Sequence, residues 1–69
     1  MEEPSGSQSV ERAMHLLALV AERHKNGATL AELVRASGFK QPTTRRLLVA
    51  LIRSGLVSQN ETTRRYQLG

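Results

Sequence analysis

A helix stop and a helix start fall within five residues of each other near the middle of this chain, and that limits its fold more than any other feature. Gly38 followed by Phe39 reads as a left-handed helix ending with a hydrophobic residue behind it, the pattern of a Schellman motif. Pro42 suits the first position of a new helix, because its fixed φ is helical and its missing N–H would be unpaired there anyway. Gln41 is then the expected N-cap. Two helices joined by Gly38-Phe39-Lys40 must turn sharply against each other.

The flanking segments supply those helices. Thr29-Leu30-Ala31-Glu32 has the capping-box pattern, in which the Thr hydroxyl and the Glu carboxylate each satisfy the other's backbone amide. Leu30, Leu33 and Val34 follow as its buried face. The later helix, over about 42–54, runs to Ser54-Gly55. Thr44, Leu47, Leu48, Leu51 and Ile52 form its inward stripe, and Pro42, Thr43, Arg46, Val49, Ala50 and Arg53 look outward with Arg45 on the flank.

An earlier helix is expected from Val10, Ala13, Met14, Leu17, Val20 and Ala21, which recur at the spacing of one apolar face. Ser7 or Ser9 is its expected cap, and His24, Lys25 and Asn26-Gly27 form its stop. Leu16 and Leu19 fall off that face, beside Arg12 and Arg23. They are either two incidental surface leucines or a seam for pairing with a second copy, and the seam is expected. Residues 1–7 are polar and are expected to form a disordered arm.

Beyond Gly55 the pattern changes to short alternation. Leu56-Val57-Ser58-Gln59 and Arg65-Tyr66-Gln67-Leu68 flank a polar turn over Asn60–Arg64, which reads as a hairpin. Tyr66 and Leu68 share one face and are expected to close over the helices, because an isolated hairpin is marginal in water. The expected fold over 8–69 is therefore mainly α with a small β-hairpin: a winged helix-turn-helix of three helices plus a wing.

Composition narrows the function. The chain has 69 residues, no cysteine and no aspartate. A core this small supplies about 3–5 kcal/mol, with no disulfide or thiolate metal site to reinforce it. Without Asp there is no Ser/His/Asp set, and neither a Gly-rich phosphate loop nor a nucleophile elbow occurs. His15 and His24 lie too far apart on one helix to share a ligand face, and Glu11 with His15 is an ordinary surface pair at i, i+4. An enzyme, a metal and a cofactor are thus not expected. No apolar run approaches the ~20 residues of a membrane span. The acidic start lacks the basic region of a signal peptide, so the cytoplasm is the expected location.

The formal net charge of +4 is unevenly placed. Met1–Phe39 carries four basic and five acidic residues, whereas Lys40–Gly69 carries six basic and one acidic. An excess of that kind in one half is the footprint of a surface for nucleic acid, although an ordinary solvated face would show it too. The residues at the start of the third helix are Lys40, Gln41, Thr43, Thr44, Arg45 and Arg46. Arg can pair bidentately with guanine, Gln with adenine, and Thr can bond a base or touch a thymine methyl. Arg64 and Arg65 at the hairpin tip are placed to meet phosphates or the minor groove, and the amides at Thr29 suit a phosphate. A winged helix used for protein–protein contact is the alternative. It would need an apolar outward face on the third helix, where Val49 is the only sizeable apolar residue. RNA binding fits less well, since no aromatic platform exists.

The series Gln8-Ser9-Val10-Glu11-Arg12-Ala13, Thr29-Leu30-Ala31-Glu32-Leu33, Ser37-Gly38-Phe39, Thr43-Thr44-Arg45-Arg46-Leu47-Leu48, Leu51, Gly55-Leu56-Val57 and Arg65-Tyr66-Gln67-Leu68-Gly69 resembles the N-terminal winged helix of the IclR family of bacterial transcriptional regulators. The resemblance implies that Gln41, Thr43, Arg45 and Arg46 read bases or clamp the backbone, and that Arg12 and Thr29 touch phosphate. It implies a palindromic operator in double-stranded DNA bound by a homodimer or larger assembly paired through the first helix, where Leu16 and Leu19 lie. The family's larger C-terminal domain, which binds a small-molecule effector, lies outside this sequence, which is expected to be one part of a longer regulator. The chain departs from the family at Lys40-Gln41, Pro42, Thr44 and Arg45, and at Arg64, where a Gly is usual. An altered helix start implies an altered operator.

Overall fold

A computed structural model of the protein describes residues 4–69, with side chains from Gln8 onward. Three helices, α1 (Pro4–Glu22), α2 (Leu30–Ser37) and α3 (Gln41–Arg53), precede two antiparallel strands, β1 (Val57–Gln59) and β2 (Tyr66–Leu68). This is the expected winged helix-turn-helix. Its core is built from Leu16, Leu19, Val20, Ala28, Leu33, Leu48, Leu51, Val57 and Tyr66, so every element contributes at least one residue.

The largest difference from expectation lies on α1. Leu16 is 0% exposed and Leu19 and Val20 are buried with it, whereas Val10 is 62% exposed and Met14 55%. The leucines expected as a dimer seam are core residues. Two apolar stripes overlap on this helix, and the one carrying the larger leucines faces α2, α3 and β2. The neighbouring arginines do not mark that stripe as an outer surface. Arg23 is half-buried and donates from Nη1 to the Leu19 carbonyl at 3.3 Å.

Helix α1 also starts earlier than expected, at Pro4, so Ser7 and Ser9 lie inside it and neither is its cap. Proline is tolerated in a first turn, where its missing N–H has no partner to lose. Of the expected arm, residues 4–7 are helical and residues 1–3 lie outside the described residues.

Local signals set α2 and α3. The Glu32 amide donates to Thr29 Oγ1 at 3.1 Å, and the Thr29 amide donates to Glu32 Oε1 at 2.9 Å, completing the capping box. Gly38 adopts φ 78° and its amide donates to the Val34 carbonyl at 3.0 Å. The Phe39 amide turns to Ser37 Oγ at 3.0 Å, so the ending is the single-bond left-handed form rather than a Schellman motif. Helix α3 begins one residue before the expected start, with Lys40 as N-cap and Gln41 as its first residue. Pro42 in second place loses nothing, because that N–H is unpaired as well.

The hairpin pairs Val57 with Leu68, Ser58 with Gln67 and Gln59 with Tyr66. Leu56 and Arg65 fall just outside the strands. Tyr66 is buried as expected, whereas Leu68, expected to close over the helices with it, remains exposed. Local sequence gives no sign of one further contact: Ala28 and Tyr66 exchange two backbone hydrogen bonds, at 2.9 and 2.8 Å, on the other edge of β2. Arg65 Nη1 adds a bond to the Gly27 carbonyl at 3.2 Å, and Gln67 Nε2 one to the His24 carbonyl at 3.1 Å. The wing is thereby stitched to the loop that precedes α2.

Glu32 sits where these connections meet. The hydrogen bond from the Thr29 amide holds its carboxyl below the ordinary glutamate value, against the opposing effect of desolvation and with further help from the charges of Arg65 and Arg23. A carboxyl held low in the folded state contributes stability above that range and loses it as the pH falls through the lowered value. Urea unfolding of the wild type should therefore weaken more between neutral and acid pH than that of Glu32→Gln, whose amide oxygen still accepts the Thr29 bond. Parallel pH profiles for the two chains would remove Glu32 from the acid sensitivity.

Candidate nucleic-acid interface

The start of α3 presents an exposed basic surface with a cluster on either flank. On one side, Arg45 lines a groove with Thr29, Gln59, Thr63 and Arg64, so helix, wing and the N-terminus of α2 converge there. On the other, Arg46 shares a depression with Ser9, Arg12 and Thr43, which continues past Arg12 to Phe39 and Lys40. Four of the six basic residues of the C-terminal half, Lys40, Arg45, Arg46 and Arg64, thus gather around the start of one helix.

Phe39 organises the second flank. The Arg12 guanidinium lies 5.8 Å from the centre of its ring, and the His15 ring meets it edge-on at 5.9 Å. A cation over an aromatic face is held electrostatically by the ring quadrupole. The aromatic residue in the turn between α2 and α3 therefore also positions an arginine of α1 beside the start of α3. Spacing along the sequence carries no sign of this, because Arg12 and Phe39 are far apart in the chain.

The wing tip is shaped by Asn60. Its Oδ1 accepts the amides of Thr62 and Thr63, both at 2.8 Å, and its carbonyl accepts the Arg64 amide at 2.8 Å. Arg64 takes φ 66°, a left-handed conformation that glycine adopts more readily than a residue with a side chain. Its side chain is exposed at the tip.

Not every expected site residue faces outward. Thr44 is 0% exposed and its hydroxyl donates to the Lys40 carbonyl at 3.0 Å, so it packs in the core and cannot meet a base. Arg65 is turned back onto the Gly27 carbonyl and lies 4.0 Å from Glu32, fastening the wing rather than extending from its tip. The Thr29 oxygen is committed to the Glu32 amide. Lys40, Gln41, Arg45, Arg46 and Arg64 are exposed, Arg12 is exposed against Phe39, and Thr43 is half-buried. Among the described residues, no group of three or more His, Asp or Glu is placed to hold a metal ion, and no helix is long and apolar enough to cross a membrane.

A tight turn between two helices, a basic start to the second of them and a hairpin fastened alongside define a winged-helix DNA-binding domain. The family model described as the IclR helix-turn-helix domain matches residues 9–61, more than half of the chain, and the protein belongs to that family. Its function is accordingly DNA binding in transcription regulation, and DNA is its partner. No curated protein and no solved structure matches the chain.

Proposed function

We propose that the domain, over residues 8–69, reads a specific duplex operator with α3 in the major groove and the hairpin as a wing on the adjacent backbone. The observation that carries this reading is the pair of arginine clusters flanking the start of α3. Gln41 and Arg46 meet base edges, with Thr43 beside them. Arg45 and Arg64 hold the backbone on the wing side, while Arg12, Lys40 and the free amides at the start of α2 hold it elsewhere.

Two such heads pair on a palindrome through the outer face of α1. The seam is placed on Val10 and Met14, the most exposed large apolar side chains of the domain, in place of the buried Leu16 and Leu19. In this reading the head works in the cytoplasm as part of a longer bacterial regulator, a homodimer or larger, whose other domain binds a small effector.

Fluorescence anisotropy on duplex DNA should show binding that weakens steeply with salt, as phosphate neutralisation releases counterions. Absence of binding even at low salt would refute the proposal. Once a site has been selected from a random duplex library, Arg46→Ala should cost about 1–3 kcal/mol on that site and less on unrelated DNA. An equal loss on both would make Arg46 a phosphate contact.

A further inference from the structure

Val49 is an exposed β-branched residue on a helix whose other large apolar side chains, Leu47, Leu48, Leu51 and Ile52, all pack inward. At 48% exposure it gains little from the core, and valine is a weaker helix former than the alanine beside it. At 100° per residue, Pro42, Arg46, Val49 and Arg53 fall within roughly 60° of one another, directly opposite the buried Thr44, Leu48 and Leu51. Arg45 is displaced from this crest toward the wing, where it joins Arg64. The outermost line of α3 therefore reads apolar, basic, apolar: Pro42, Arg46 and Val49 at i, i+4 and i+7.

In the major groove the one apolar feature on a base edge is the C5 methyl of thymine, while arginine is matched by the O6 and N7 of guanine. We infer that Val49 is a specificity-determining residue that contacts the methyl group of a thymine neighbouring the guanine bound by Arg46. The inference rests on α3 occupying the major groove. It goes further by assigning the operator a base pattern, a guanine flanked by thymine, and by giving the exposed valine a ligand.

The test uses the 69-residue chain and a duplex recovered by selection from a random library. Each thymine of the half-site is replaced in turn by deoxyuridine, which removes the methyl group and leaves the Watson–Crick pairing intact. At one position next to a selected guanine, the wild type should bind about fourfold more weakly, the loss of one buried methyl group. Val49→Ser should bind the thymine and deoxyuridine duplexes equally at that position, with an unchanged circular dichroism spectrum, and should keep its sensitivity to replacing the guanine. A selected site at which every thymine tolerates deoxyuridine, or a Val49→Ser chain that still discriminates, overturns the assignment to Val49 and leaves the operator reading standing. A chain that selects no site overturns both.

Discussion

Leu16→Glu should yield an unfolded chain, with the helical circular dichroism signal lost at ambient temperature. Leu16 is completely buried at the centre of the core. Removing a buried leucine costs about 2–5 kcal/mol, and an unpaired buried carboxylate adds several more. A core of this size supplies only about 3–5 kcal/mol, so the loss exceeds the whole stability. Met14→Glu lies two residues away on the same helix and should behave in the opposite way. Met14 is mostly exposed, and its replacement should move stability by no more than about 0.5 kcal/mol. Its effect should appear instead as a loss of two-to-one binding to a palindromic duplex, measured by sedimentation. A folded Leu16→Glu chain would overturn the orientation of α1. A Met14→Glu chain that still binds as a pair would move the seam elsewhere.

Gly27→Ala should also be destabilising, though less so, and Gly38→Ala provides its control. Both glycines are left-handed, with φ 80° and 78°. Adding a Cβ at Gly38 meets nothing within 4 Å, so Ala there bears only the backbone penalty of about 1–2 kcal/mol. A Cβ at Gly27 would stand 2.8 Å from the Cβ of Arg65, an atom at the root of its side chain that moves only with the backbone of the wing. Crowding of that kind adds about 1–3 kcal/mol. The urea midpoint should therefore fall further for Gly27→Ala than for Gly38→Ala. Equal midpoints would show that the wing and the α1–α2 loop are not closely packed. The same variant should weaken DNA binding by shifting Arg64, which shares the hairpin.

These contrasts also show which parts of the molecule were readable in advance. The capping box at Thr29 and Glu32, the stop at Gly38 and the start near Pro42 depend on partners within four residues, so the sequence alone reveals them. The rotation of α1 does not. Ala13, Leu17 and Val20 border both apolar stripes, and only α2, α3 and β2 decide which one is covered. Thr44 is a different case. It lies in the stripe expected to face inward, yet its type and its place near a helix start also suggest a base contact, and burial decides between them. Arg64 and Arg65 are adjacent and chemically alike, but one stands at a left-handed tip and the other reaches back to Gly27, a partner from the opposite half of the chain.

The reciprocal bonds between Ala28 and Tyr66 have a consequence for how the domain opens. They join the loop ahead of α2 to the strand after the wing tip, so every residue proposed to touch DNA, Arg12 of α1 excepted, lies inside one loop closed at its neck. Amide hydrogens at Ala28 and Tyr66 should then exchange with solvent at a common rate, since neither is protected once the other's carbonyl has left. That shared rate is a clock for the release of the wing, and operator DNA holding both shoulders of α3 should slow it at both positions together.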